Sequence, residues 1–248
     1  MKNKLYLNTF SPSSIKIARC DGYGIEIESY MMANSARSVD DIHLPNLADI
    51  SERILHGSII HRQPENIAAK RKEELIAIFD LHCRLAKTLS ASKVVFHCDY
   101  FATIWEKEAW IESRVDLWSR FLDAQTSNPK ICLENFIDET PHMLATLIDR
   151  IAHPGLGICL DVGHAHCNSA VPVANWIKVL GRRIYHVHLH NNDGINDKHW
   201  PITRGTLDMK KTLELIARYA SDATITLECD HRESLSWLNE NGYLAMPT

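Results

Sequence analysis

Three histidines alternate along one short stretch of the chain, which reads IYHVHLHNNDGINDKHWPITRG over residues 184–205. Successive side chains of an extended strand point to opposite faces, so His186, His188 and His190 share one face. Imidazole groups gathered at the end of a strand favour a metal site. The same alternation is also consistent with a hydrogen-bonded layer of histidines inside a barrel.

Similar residue types stand at the ends of other β-rich runs. Asp197 and His199 follow the histidine strand on a loop that is able to fold back over its end. The remaining candidates lie at or just after five further runs: His61, His97, Glu134, Asp161, His164 and Glu228. Each of them alone has an ordinary structural explanation, such as a helix cap or a salt-bridge partner. Their shared position at strand ends indicates one site.

Two of these carboxylates, Glu134 in KICLENF and Glu228 in TITLECD, alternate with apolar neighbours. They are therefore expected to point away from the face that packs against helices and into the centre of a barrel. Burying a carboxylate there without a partner costs several kcal/mol. A divalent metal ion compensates that charge most directly, so the sequence predicts a metal site.

The elements that must position these residues are short strands separated by helical segments. Helical spacing of apolar residues is plainest over residues 64–89, 105–124 and 207–219. Strands are predicted over residues 4–9, 24–29, 57–61, 93–98, 130–136, 157–162, 184–190 and 224–229.

Eight alternations of strand and helix within 248 residues are typical of a parallel barrel. We predict an α/β fold, a single (β/α)8 TIM barrel in which residues 1–248 form one domain. A doubly wound open sheet is the main alternative, but the GxGxxG sequence that many such sheets carry after the first strand is missing. In a barrel of this kind active sites form at the carboxyl ends of the strands, where the candidate residues fall.

The overall charge of the chain favours neither nucleic acid nor an acidic membrane as a partner. The formal charge of −4 and a pI near 6.4 give no overall attraction to nucleic acid or to acidic membranes. Seven scattered cysteines without a CxxC pair indicate reduced thiols, and with them a cytoplasmic location. No segment approaches the roughly 20 apolar residues that span a bilayer. The sequence leaves open whether the chain forms a homo-oligomer.

Taken together, the chain resembles the xylose-isomerase-like superfamily of TIM barrels. This superfamily contains sugar isomerases and epimerases together with abasic-site nucleases of the endonuclease IV class. The resemblance extends from the first predicted strand to the ending SLSWLNENGYL. Its most specific parts are CLENF, CLDVGHAH, HVHLHNNDGINDKHWP and TLECD, whose order and spacing are more specific than any one motif.

The resemblance implies a set of metal ligands. The isomerase and epimerase branch has a central divalent ion, whose four ligands match Glu134, Asp161, His188 and Glu228. His164 is similar to a histidine that this branch places beside the substrate. In the nuclease branch the same positions belong to a three-zinc cluster, whose additional ligands match His61, His97, His164, Asp197 and His199.

The first implied function is isomerisation or epimerisation of a sugar, a sugar phosphate or a related polyol in carbohydrate metabolism. A divalent ion (Mn, Mg, Co or Zn) would polarise the substrate oxygen as a Lewis acid. Either Glu134 or Glu228 would remove a carbon-bound proton to give an enediolate, and the other would return a proton. The expected partner is a small sugar-like molecule.

The alternative implied function is a multi-zinc phosphodiesterase of the endonuclease IV type. A nuclease also needs basic residues around its site, and the basic run at residues 70–72 is better interpreted as a solvated helix face. Arg62 and Arg204, which follow the third and seventh strands, are better placed to bind a phosphate or carboxylate of a small substrate. The chain departs from many relatives at PITRG, where Thr203 replaces a glycine.

Overall fold

Eight parallel strands close into a barrel in the computed structural model of the chain. The structure describes residues 5–28, 47–57, 67–98, 106–125 and 129–244. In chain order the strands are β1 (Leu5–Asn8), β2 (Gly24–Glu28), β3 (Arg53–His56), β4 (Lys93–His97), β5 (Lys130–Glu134), β6 (Leu156–Asp161), β7 (Ile184–Leu189) and β8 (Thr224–Leu227). Each strand pairs with the next, and β8 pairs with β1. The predicted TIM barrel is confirmed.

Seven strands lie where the sequence predicts them, but the prediction of the third strand over residues 57–61 is wrong. The strand is Arg53–His56, and of the predicted stretch only Gly57, which follows the strand, is described. GSIIH has the stronger β propensity because of its two isoleucines. Pairing with β4 decides the position of the strand instead, since Leu55 lies opposite Val94 and His56 opposite Val95.

Helices on the outside of the barrel connect most of the described strands. Several of these helices begin at a side-chain cap, as at Thr140 and Asp208, whose oxygens accept hydrogen bonds from backbone N–H groups of the first turn. None of the helices in the described part of the chain is long and apolar enough to cross a membrane. The described residues contain α1 (Pro12–Asp21), α2 (Ala69–Thr88), α3 (Lys107–Asp123), α4 (Pro141–Ile151), α5 (Val162–Asn168), α6 (Val173–Leu180), α7 (Met209–Tyr219), α8 (His231–Glu240) and a 3-10 turn at Gly181–Arg183.

The main apolar core lies between the strands and this helical layer. Phe96 of β4 packs beneath Phe79 and Trp118, whose rings stack at 4.4 Å between centroids. Burying a large side chain of this kind stabilises the fold by about 1.5–3 kcal/mol. All seven cysteines are free thiols, in agreement with the prediction of a reduced chain.

The inside of the barrel is divided along its axis. A small buried apolar cluster of Tyr6, Ile54, Val95, Cys132 and Cys159 fills its lower part, toward the amino ends of the strands. Above this cluster, toward the carboxyl ends, the inward-facing side chains become carboxylates and imidazoles that are almost completely buried. Such groups are stable inside a fold only when they are paired with opposite charge or coordinate a metal.

Candidate metal site

Four side chains converge at the carboxyl end of the barrel, from β5, β6, β7 and the residue after β8. Glu134, Asp161, His188 and Glu228 each offer one ligand atom within 4.8 Å of the others. The Nδ1 atom of His188 lies 3.0 Å from Glu134 Oε1, 3.4 Å from Glu228 Oε1 and 3.8 Å from Asp161 Oδ2. The barrel thus brings together the four residues predicted to hold a central ion.

The electrostatics of this group fit a divalent cation. All four side chains are at most 4% exposed, so three carboxylates share a volume that water does not screen. Burial raises the pKa of Glu134, but His188 and His97 hold that pKa well below its usual range. Burial likewise opposes ionisation of Asp161, yet His164 and His190 lower its pKa to about 2. Ionised oxygens around one imidazole nitrogen form a donor set suited to a metal ion.

A buried carboxylate beneath the site fixes which nitrogen of His188 faces the other ligands. Glu26 on β2 accepts hydrogen bonds from His188 Nε2 at 3.0 Å and from His186 Nε2 at 2.9 Å. Because a carboxylate only accepts, the Nε2 atom of His188 carries a proton. Its Nδ1 atom then faces Glu134 Oε1 at 3.0 Å and the other candidate ligands, the arrangement by which outer carboxylates orient metal-binding histidines.

Asp161 has a second role as the cap of α5. Its Oδ1 atom accepts a hydrogen bond from the backbone N–H of His164 at 2.7 Å. Asn135 clamps the same residue from β5, donating to Asp161 O and accepting from Asp161 N, both at 2.9 Å. Asp161 is thus held through its backbone by Asn135 and through Oδ1 by α5, and its Oδ2 atom lies 3.8 Å from His188 Nδ1. The helix-cap interpretation is correct for this residue, and its role as a metal ligand stays a prediction.

A second cluster lies beside the first, where the loop after β7 folds back. Asn191 and Trp200 form an antiparallel bridge that closes this loop over the strand end, as predicted. The Oδ2 atom of Asp197 lies 3.2 Å from His164 Nε2 and 3.2 Å from His199 Nε2. His164, His190, Asp197 and His199 form a further group with spacing suitable for a metal ion.

Two histidines of the second cluster, His164 and His199, are each oriented by a backbone carbonyl. The Nδ1 atom of His164 lies 3.0 Å from Asn135 O, and that of His199 lies 2.9 Å from Glu228 O. Each bond leaves the Nε2 atom for Asp197. His199 adopts a left-handed backbone with φ of 45°, which is unusual for a residue other than glycine. Strain of this kind is commonly retained at functional sites.

Glu134 also reaches a third group of residues. Its Oε2 atom, on the side away from His188, lies 3.1 Å from His56 Nε2 and 3.1 Å from His97 Nε2. The carboxylate therefore stands between two sets of imidazoles, with one oxygen toward each. A carboxylate in this position is able to bridge two ions.

The remaining residues considered from the sequence are His61, Arg62, Thr203 and Arg204. His61 and Arg62 lie outside the described residues. Arg204 is exposed, and its guanidinium lies 4.6 Å from the centre of the Trp200 ring. Thr203 donates a hydrogen bond to Glu233 on α8.

Three residues of the site were missed by the sequence predictions: Glu26, Glu28 and His56. His56 was missed because the third strand was placed too late. Glu26 and Glu28 alternate with isoleucines in GIEIE, the pattern that identified Glu134 and Glu228, so a signal was present. Glu28 is 8% exposed, and among the described residues neither of its carboxylate oxygens has a hydrogen-bond partner. Burial raises its pKa to about 8 despite the nearby His56.

A sequence profile described as the xylose isomerase-like TIM barrel matches residues 36–243 of the chain. The chain belongs to this family. The xylose isomerase-like family consists mostly of enzymes. A relative of the chain is MJ1311 of Methanocaldococcus jannaschii, an uncharacterized protein. The two are 30% identical over 152 residues, which cover 56% of this chain. The chain spans about half of that relative, 51% of its length.

Solved structures confirm the family fold. A D-tagatose 3-epimerase-like protein is 20% identical and has a TM-score of 0.73, covering 96% of this chain and 99% of its own. The IolI protein with a bound zinc atom is 20% identical, with a TM-score of 0.73 and coverage of 98% and 100%. Endonuclease IV from Thermus thermophilus is 18% identical, with a TM-score of 0.60 and coverage of 95% and 98%. At these identities the similarity shows the barrel alone.

Proposed function

We propose that the protein is a divalent-metal-dependent isomerase or epimerase of a sugar, a sugar phosphate or a related polyol. The observation that carries this proposal is the pair of carboxylates beside His188, with Glu134 Oε1 at 3.0 Å and Glu228 Oε1 at 3.4 Å from its Nδ1 atom. They come from β5 and from the end of β8, three strands apart around the barrel. The fold shared with a D-tagatose 3-epimerase-like protein supports the same reaction class.

Glu134, Asp161, His188 and Glu228 would hold the ion, which is Mn, Mg, Co or Zn. When bound, such an ion supplies Lewis-acid polarisation of a substrate oxygen. The IolI protein, which has the same fold and contains a bound zinc atom, supports a metal ion in a barrel of this kind. The remaining chemistry belongs to the side chains of the chain.

Proton transfer is assigned to the two glutamates. One carboxylate removes the proton from the carbon beside the substrate carbonyl, and the other returns a proton from a different direction. Return at the same carbon gives an epimer, whereas return at the neighbouring carbon gives an isomer. His164 stands between the two clusters, where it is placed to donate a hydrogen bond to a substrate oxygen.

The charges around the site favour a polyol over a nucleic acid. Within the described residues, every ion pair made by Glu134, Asp161, Asp197 or Glu228 is with a histidine, and none is with lysine or arginine. An enzyme that grips a phosphodiester backbone needs cationic side chains around its metals. A small molecule bound through hydroxyl groups does not.

A multi-zinc phosphodiesterase is a second candidate, and one specific observation favours it. His164, Asp197 and His199 converge within hydrogen-bonding distance beside the central group, and Glu134 separates that group from His56 and His97. Three adjoining sets of ligands would suit two or three ions, which could activate a water molecule and neutralise a phosphodiester. The fold shared with an endonuclease IV supports this candidate.

Metal content followed by substrate tests separates the two functions. Elemental analysis of the purified protein is expected to give about one tightly bound divalent ion per chain. A sugar panel in deuterated water should then show deuterium at a substrate carbon during turnover. Three tightly bound zinc ions, with phosphodiester cleavage and no exchange into sugars, would replace the first proposal with the second.

The variant Glu228→Gln tests the acid–base role directly. It keeps the size of the side chain but removes its ability to accept the proton, so exchange should fall by about 10²–10⁴-fold. Glu214→Gln, which changes an exposed glutamate on α7, is the matched control and should exchange normally. Circular dichroism confirms the fold of both variants. Normal exchange in Glu228→Gln would remove this residue from the mechanism.

A further inference from the structure

A cavity of about 620 Å³ opens at the opposite end of the barrel from the metal site. It lies at the amino ends of β4, β5 and β7 and beside the turn before β8. Four cationic side chains line it, Lys93, Lys130, Arg182 and Arg218, against one carboxylate, Asp222. The lining therefore has a net formal charge of about +3.

These cations are not neutralised by the surrounding protein. Within the part of the chain that the structure describes, none of the four forms an ion pair, whereas Arg183, next to Arg182, is paired with Asp149 at 2.6 Å. The Nζ atom of Lys130 lies 4.8 Å from the centre of the Tyr185 ring. Stacking on an aromatic ring holds a cation in place without cancelling its charge.

Lys93 is the most enclosed of the four. It is the first residue of β4 and occupies an inward-facing position, and burial lowers its pKa. Its Nζ atom donates a hydrogen bond to Thr224 Oγ1 at 3.1 Å and lies at the cavity wall. A cation kept partly out of water and without a counter-ion is stabilised when an anion binds beside it.

A continuous chain of hydrogen bonds joins Lys93 to the metal site. Thr224 Oγ1 lies 2.6 Å from His186 Nδ1, and His186 Nε2 lies 2.9 Å from Glu26 Oε2. Glu26 Oε1 in turn accepts from His188 Nε2 at 3.0 Å. The donors run in one direction, from lysine to threonine to a neutral His186 and on to the carboxylate. His188, whose Nδ1 atom faces the other ligands, is the last member.

We propose that this cavity binds a small molecule that bears a phosphate group, and that the hydrogen-bond chain couples its binding to the metal site. Phosphate is the chemical class that fits, because two guanidinium groups and two ammonium groups surround a space large enough for an organic phosphate. Arginine pairs with phosphate oxygens through two parallel hydrogen bonds. The coupling rests on the proposed metal site, whereas the cavity does not.

Inorganic phosphate is the probe for the cavity, titrated into the full chain by calorimetry. The double variant Arg182→Gln/Arg218→Gln is expected to weaken binding by at least about tenfold, since it removes two charged hydrogen-bond donors. Lys178→Gln on α6, an exposed cation away from the cavity, should bind as the native chain does. Asp161→Asn, which lacks a central metal ligand, should also retain binding.

Three results would overturn the cavity proposal. These are no heat of binding in the native chain, equal affinity in the double variant, or loss of binding in Asp161→Asn, which would place the phosphate on the metal. Both arginines are exposed, so thermal melting should show that the double variant folds normally.

The coupling is tested by the affinity for Mn²⁺ with and without saturating phosphate. A shift of about fivefold or more is expected in the native chain, in the range typical of linked sites. Thr224→Val should abolish the shift while phosphate still binds. The double variant, in the same buffers, corrects for Mn²⁺ held by free phosphate. An unchanged Mn²⁺ affinity in the native chain would refute the coupling, whereas a chain that binds no Mn²⁺ would refute the proposed function and leave the phosphate titration intact.

Discussion

The two ends of the barrel interior carry opposite charge on the same strands. On β5 the inward-facing residues run Lys130, Cys132, Glu134, and their partners on β4 run Lys93, Val95, His97 in register. Each strand thus begins with a cation, passes through an apolar residue and ends with a candidate metal ligand. The outward faces of the two strands are uniformly apolar.

One side of a strand is therefore able to carry residues of two candidate sites, one at each end of the barrel. The helix-facing side makes the apolar contacts that stabilise the fold. The residue types on the inward side are therefore able to change along the axis of the barrel. The apolar cluster around Cys132 and Val95 separates the two charged ends. Glu26 and His186 bridge that separation on the other side of the barrel, beside β2 and β7.

The largest effect is expected from Glu134→Gln, which removes a charge that is paired with four histidines, His56, His97, His164 and His188. Turnover should fall by about 10²–10⁴-fold because the variant loses both an acid–base group and a ligand. The number of bound ions should fall with it, as measured by elemental analysis after dialysis. Unchanged metal content and turnover would show that the carboxyl end is a charged core and not an active site.

The next effect compares the buried carboxylate of Glu26 with a half-buried carboxylate at the amino end of the barrel. Glu26→Gln should destabilise the chain by about 3–5 kcal/mol, because it leaves a buried histidine network without its charge partner. It should also weaken metal binding by about 10–100-fold, as the loss of an outer carboxylate does at other metal sites.

The matched variant for Glu26→Gln is Glu52→Gln at the amino end, where Glu52 accepts a hydrogen bond from Tyr6 at 3.0 Å. It should cost only about 1 kcal/mol and leave metal affinity unchanged. Urea denaturation and metal titration measure both variants. Equal losses of metal affinity would mean that Glu26 has no specific role in orienting His188.

A dependence on pH is expected for the carboxyl end. In the metal-free chain burial opposes protonation, but Asp161 and Asp197 raise the pKa of His164 to about 10, and Asp197 and Glu228 raise that of His199 to about 9. A raised pKa gives stability that is complete below the unfolded value near 6.5 and is lost as pH rises through the folded value.

The free energy of unfolding of the metal-free chain should therefore fall between about pH 6.5 and 9, by about 1.4 kcal/mol per pH unit for each such proton. Urea titrations in the presence of a chelator measure the slope, and His164→Asn should reduce it. With metal bound the slope should be smaller, since the ion replaces the protons. A metal-free chain whose stability rises over this range would contradict the proposed charge state.

The smallest effect is expected from Arg204→Gln at the outer edge of the mouth. Its guanidinium lies over Trp200 and contributes about 0.5–1 kcal/mol at an exposed position. If Arg204 binds the substrate, KM should rise by a few fold with kcat unchanged, since the contact is made equally in the ground and transition states. An unchanged KM would assign it to the surface.

The fold and the direction of two candidate ligands follow from local patterns. Alternation within KICLENF and TITLECD was enough to predict the direction of Glu134 and Glu228, because strand geometry has a period of two. The third strand was not predictable in this way. RILH and GSIIH have similar patterns, and the choice between them depends on pairing with β4, which is distant in sequence. His56 was lost with that choice.

The basic cavity also could not be predicted from the sequence. The visible basic cluster at residues 70–72 lies on α2, whereas the four cations of the cavity come from four separate segments. Single charges spread along the chain from Lys93 to Arg218 give no local signal. Only closure of the barrel brings the amino ends of β4 and β5 beside the carboxyl ends of the later helices.

The clamp formed by Asn135 has a consequence for how the metal site is built. Its amide copies a peptide group, pairing with both backbone atoms of Asp161, and so extends the ladder between β5 and β6 by one rung beyond the strand. Glu134 and Asp161 are thereby spaced by the scaffold itself and not by an ion. If the proposed ion binds there, a chelator should be able to remove it without unfolding the barrel.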